Sequence, residues 1–145
     1  MSKIFKFVLL FYLGINSLSI AISNENFFEK GVELYKNKKY EEAQFMFERS
    51  IVFNPKDSNS YLYLAKIYNI KKNQKKEEKN LDSALLIEPN DEEAILMSMK
   101  IALEKSNYSK VKDLSKTFIK VCKKLCGENK SILETLKSIE PKNES

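Results

Sequence analysis

The chain has 145 residues, with 25 Lys and Arg against 20 Asp and Glu, a formal charge of +5, two cysteines, three glycines and no histidine. The lack of histidine removes His-based triads, imidazole zinc ligands and the commonest general base, and Gly14, Gly31 and Gly127 form no phosphate-cradling loop. Neighbouring acids such as Glu41 with Glu42, and Glu92 with Glu93, point about 100° apart on a helix and share no site. An enzyme is not expected, nor a cofactor, and the charge is too modest to imply nucleic acid.

Residues 1–23 stand apart from the rest. Lys3 and Lys6 open the chain without an acid, 7–21 are mostly apolar, and Ala21-Ile22-Ser23 places small residues at alternate positions before Asn24-Glu25-Asn26. That is the layout of a secretory signal peptide. The apolar run is interrupted by Gly14, Asn16, Ser17 and Ser19 and falls short of the roughly 20 residues that cross a bilayer core. Cleavage after Ala21 or Ser23 is therefore favoured over a retained anchor. A periplasmic or secreted bacterial envelope protein is expected, with membrane anchoring by the N-terminus as the alternative.

Four helices follow over 25–36, 40–53, 59–70 and 75–87. Asn54-Pro55-Lys56-Asp57-Ser58 and Glu88-Pro89-Asn90-Asp91 separate successive pairs: each proline disfavours helix in the residue before it, and the Asp or Ser beyond can cap the next helix. Asp91 is the expected cap of a fifth helix, with Glu92 and Glu93 favourably placed in its first turn. Ile132, Leu133, Leu136 and Ile139 form an apolar stripe on a last short helix over 130–139. No alternating strand pattern competes with these elements.

Pro55 and Pro89 lie 34 residues apart, and the segments they close match in register: Phe27 with Tyr61, Gly31 with Ala65, Leu34 with Tyr68, Phe47 with Leu81, and Ser50 with Ala84. Large falls on large and small on small, as required when paired helices approach closely where one presents a small side chain to a large one. A further shift gives Ile95, Met99, Ala102, Tyr108, Val111, Ser115 and Phe118, a degenerate copy with Lys123 in place of proline. The run Phe27, Gly31, Leu34, Tyr40, Ala43, Phe47, Pro55 resembles the tetratricopeptide repeat (TPR) pattern. The second unit keeps Tyr61, Leu64, Ala65, Tyr68, Ala84 and Pro89 but has Glu77 where the pattern has alanine.

The resemblance implies an all-α, right-handed α-solenoid of about three TPR helix pairs, over 24–57, 58–91 and 92–125; the apolar stripe adds a C-terminal capping helix over 128–140, and a disordered tail is expected over 141–145. In TPR proteins the first helix of each pair lines a concave groove that accepts a peptide. Carried onto this chain, the groove comprises Phe28, Val32, Tyr35 and Lys36; Asn59, Leu62, Lys66, Asn69 and Ile70; and Leu96, Lys100, Leu103 and Glu104. Lys66 and Lys100, with Lys36, are expected to meet an acidic partner, and Phe28, Tyr35, Leu62 and Leu96 to bury its apolar side chains. The TPR subclass that clamps a C-terminal carboxylate uses lysines and asparagines where this chain has Phe28, Val32, Tyr63, Glu93 and Met97, so that clamp is absent.

Two features stay open at this level. Cys122 and Cys126, in an oxidising compartment, read either as a disulfide or as two buried thiols. On a continuous helix their β-carbons would be about 5 to 6 Å apart, too far for a bond without distortion of the helix end, for which Gly127 is a plausible terminator. The spacing is not that of thioredoxin-like motifs. Lys71-Lys72-Asn73-Gln74-Lys75-Lys76 is diluted by Glu77 and Glu78 and has no stacking aromatic, so a solvated turn is expected, a weak contact with anionic lipid being the variant. The function these features favour is an exported, non-catalytic adaptor that binds a segment of another envelope protein. The alternative is a membrane-tethered structural subunit with an uncleaved N-terminus.

Overall fold

The computed structural model describes residues 26–139; the expected signal peptide and C-terminal tail lie outside them. Among the described residues there are seven helices and no strand: α1 (Phe27–Lys36), α2 (Tyr40–Phe53), α3 (Ser58–Ile70), α4 (Gln74–Ile87), α5 (Glu92–Glu104), α6 (Tyr108–Val121) and α7 (Cys126–Ile139). Helices adjacent in sequence pack together, and α7 packs on both α5 and α6. The architecture is an all-α solenoid.

The turn inside each pair is the same motif repeated. Lys38, Lys72 and Ser106, 34 residues apart, have φ of 60°, 57° and 55°. The N–H groups of Lys39, Asn73 and Asn107 reach back to the carbonyls of Leu34, Tyr68 and Ala102 at 2.9, 2.9 and 2.8 Å. This left-handed closure satisfies carbonyls that the helix end would leave bare. The next residue then starts the second helix: Asn73 and Asn107 accept from the N–H groups of Lys76 and Lys110 at 3.2 and 3.1 Å.

The joints between pairs differ from one another. Asn54 and Glu88, each before a proline, have φ of −135° and −126°, the extended backbone that a following proline imposes. Asp91 caps α5 as expected, accepting from the Ala94 N–H at 2.8 Å. Asp57 holds the capping position of α3 but makes no side-chain cap bond. Its carboxylate instead accepts the hydroxyls of Ser50 and Ser60, which accounts for the serine at position 50. The third joint has no proline. There α6 stops at Val121, and Cys122 and Cys126 form a disulfide with 5.3 Å between their α-carbons. The continuous helix that argued against bonding does not exist, and Gly127 sits inside the first turn of α7 instead of ending a helix.

Three buried clusters run along the solenoid, each shared by a pair and its neighbour. Ala43, Phe47, Leu64, Ile67 and Tyr68 join α2 to α3; Leu62, Ala65, Leu81, Ala84, Ala94 and Ile101 join α3, α4 and α5; Ile95, Leu96, Met99, Val111, Phe118, Ile132 and Leu136 join α5, α6 and α7. This nearest-neighbour burial is how a repeat array is stabilised. In the first pair, a β-carbon on Gly31 would stand 2.7 to 3.0 Å from ring atoms of Phe47, which is fully buried. The third pair inverts these volumes: Met99 takes the place of Gly31, Ser115 that of Phe47, and Phe118 that of Ser50. The Ser115 hydroxyl donates to buried Asn129 of α7 at 2.8 Å. Degeneracy in the third repeat is thus matched by compensating changes and by the helix that follows it.

Candidate functional site

The first helices of the pairs, α1, α3 and α5, are linked side to side by a ring cluster and then by ion pairs. Tyr63 is the hub. Its ring stacks on Phe47 at 4.9 Å between centroids and meets Phe28 and Tyr35 edge-on at 5.8 and 5.2 Å. Tyr35 also meets Tyr40 at 5.6 Å. Burial pushes the Tyr35 phenol up, with Tyr40, Glu93 and Tyr63 adding to the effect, so it stays neutral and able to donate a hydrogen bond.

Beside the rings, the Lys66 ammonium lies 4.6 Å from the Tyr63 centroid and 2.7 Å from the Glu93 carboxylate. One repeat further on, Lys100 pairs with Glu128 of α7 at 3.4 Å. These two rungs tie α3 to α5 and α5 to α7. They also correct the expectation of a free lysine row awaiting an acidic partner: the acids come from the next helix of the same chain.

The other expected groove residues divide by exposure. Lys36, Asn59, Asn69 and Ile70 are exposed, whereas Phe28, Val32, Tyr35 and Leu103 are half-buried. Leu62 and Leu96 are only 4% and 5% exposed and belong to the core: Leu62 lies in the cluster shared with α4 and α5, and Leu96 in the one shared with α6 and α7. Asn69 donates to Glu77 at 3.0 Å, which ties it to α4. Asn59 borders an open pocket of about 440 Å³ with Asn26, Phe27, Phe28, Phe53 and Asp57 around it. Three residues on this face escaped the expected set: Tyr63, Glu93 and Met97. All three occupy the positions used by the carboxylate-clamping subclass, which was the signal available.

The face therefore offers apolar rings, tyrosine hydroxyls and balanced charge. Among the described residues no group of three or more His, Cys, Asp or Glu is placed to hold a metal, and no helix is long and apolar enough to cross a membrane. The lysine turn is partly engaged: Lys71 pairs with Glu41 at 3.4 Å and donates to Gln44 at 2.9 Å, and Lys76 lies over the Tyr68 ring.

Solved structures share this fold. The Yersinia enterocolitica type III secretion chaperone SycD, in complex with a peptide of the translocator YopD, superposes with a TM-score of 0.71 at 15% identity, over 81% of this chain and 94% of that one. The Arabidopsis OM64 TPR domain gives 0.67 at 18% identity over 77% and 92%. The first TPR of Spaghetti (RPAP3), bound to the HSP90 peptide SRMEEVD, gives 0.65 at 17% over 77% and 90%. The chain has a TPR-like fold. No protein-family model and no curated protein sequence matches it.

Proposed function

We propose that this chain is an exported, non-catalytic TPR adaptor that holds a segment of another envelope protein against the face of α1, α3 and α5. The observation that carries the reading is the half-open ring cluster around Tyr63 with the two lysine–glutamate rungs that follow it, on a fold whose solved neighbours include complexes with peptides. Aromatic side chains in half-open sites supply much of the affinity of protein interfaces. The charge balance favours a segment that brings apolar side chains, with the tyrosine hydroxyls fixing its direction. Export rests on the three-part layout of residues 1–23.

Site-specific photo-crosslinking in the native cells tests both parts. Probes at Ile70 and Lys100 on the first-helix face should capture one dominant envelope protein, whereas a probe at exposed Glu48 of α2 should not. Equal capture from both faces would contradict the groove. Sequencing the mature N-terminus should give Ile22 or Asn24; Met1 would favour the tethered subunit.

A further inference from the structure

Two of the three joints between repeats are broken by Pro55 and Pro89, and the matching position in the third is Lys123. Nothing in Val121-Cys122-Lys123-Lys124-Leu125-Cys126 is a strong helix breaker, and lysine and leucine are good helix formers. The helix nevertheless stops, and Cys122 takes φ −62° and ψ 140°. We propose that the Cys122–Cys126 disulfide replaces the missing proline as the device that ends α6, so that the docking of α7 depends on the redox state of this pair.

The bridged loop has a defined task. Its Lys123 and Lys124 N–H groups donate to the Glu92 carboxylate at the start of α5, at 2.6 and 3.2 Å. In a continued α6, those same N–H groups would bond carbonyls four residues back. Gripping Glu92 and continuing the helix are therefore exclusive states of one segment. Beyond the loop, α7 is held by the Ser115–Asn129 bond and by Ile132 and Leu136 in the buried cluster, and it places Glu128 beside Lys100. Reduction by a dithiol breaks the S–S bond and delivers two electrons and two protons. It leaves two cysteine thiols, and the reductant becomes a disulfide. Residues 122–125 then lengthen α6, the hold on Glu92 is lost, and α7 leaves its seat, uncovering Leu96 and freeing Lys100.

Hydrogen–deuterium exchange read by mass spectrometry tests this on the purified chain, oxidised and after dithiothreitol, with the thiol state confirmed by alkylation. Peptides within 126–139 should exchange at least ten-fold faster on reduction, those within 58–87 should not change, and reoxidation should restore protection. The Cys122→Ser, Cys126→Ser variant should behave as the reduced chain. Equal protection of 126–139 with both thiols alkylated would overturn the proposal. So would equal loss over 58–87, since the bond would then be holding the whole fold and not one joint.

Discussion

At Gly31 the first pair has its closest approach, with the Phe47 ring where a β-carbon would stand. Gly31→Ala should lower unfolding free energy by about 2 kcal/mol, read by urea denaturation, because a ring packed on every side cannot retreat. The left-handed residues respond in the opposite sense. Lys38, Lys72 and Ser106 hold a conformation that costs a side-chain-bearing residue about 1 kcal/mol or more, so Lys72→Gly should stabilise by roughly 0.5 to 1 kcal/mol after its own entropy cost. That register was not legible in the sequence, since the residue that usually marks such a turn, glycine, is absent from all three. Glu77 was legible as a departure from alanine, though its consequence was not. The residue is 4% exposed, and burial holds its carboxyl above the ordinary value, with Asn69 opposing through a hydrogen bond, Glu104 adding to the rise and Lys72 opposing it. The folded chain thus binds this proton more tightly than the unfolded one does. The resulting penalty is present above the raised value and fades as pH falls through it. Glu77→Gln, which keeps an acceptor for Asn69, should raise the melting temperature at neutral pH, with the gain gone below the ordinary carboxylate range. A pH-independent difference would show that charge is not the cause.

Among the elements, the ends of α1 to α4 could be read from sequence because prolines, caps and an unbroken 34-residue register agree there. The boundary between α6 and α7 could not, because a covalent bond and a carboxylate from α5 enforce it from outside the local sequence. The rungs between first helices were hidden for a similar reason: Lys66 and Lys100 were visible as a row, but their acids lie 27 and 28 residues further on, on helices whose neighbours only the fold defines. A double-mutant cycle on Lys66 and Glu93 should give a coupling of about 0.5 to 1 kcal/mol, the lysine being largely shielded. The Lys100–Glu128 pair, about half-exposed on both sides, should give close to zero.

At the scale of the molecule, stability passes from pair to pair through three clusters, and α7 closes the series. Its outward residues Lys130, Ser131, Glu134, Thr135 and Lys137 are exposed and polar, which suits the end of a stack. The repeat frame located the helices of the candidate face, and of the residues it named, all but Leu62 and Leu96 retain open surface. It could not foresee which positions the following helices would cover, hence Leu62 beside α5 and Leu96 beside α7. The most direct test of this face as the recognition surface is calorimetric titration of a synthetic peptide spanning the crosslinked segment. Wild type would be compared with Ile70→Asp and with Leu86→Asp, both changes at exposed apolar residues, 42% and 85% accessible. Binding should be at least ten-fold weaker for Ile70→Asp and unchanged for Leu86→Asp. Loss of binding with the change in α4, and none with the change in α3, would contradict recognition by this face.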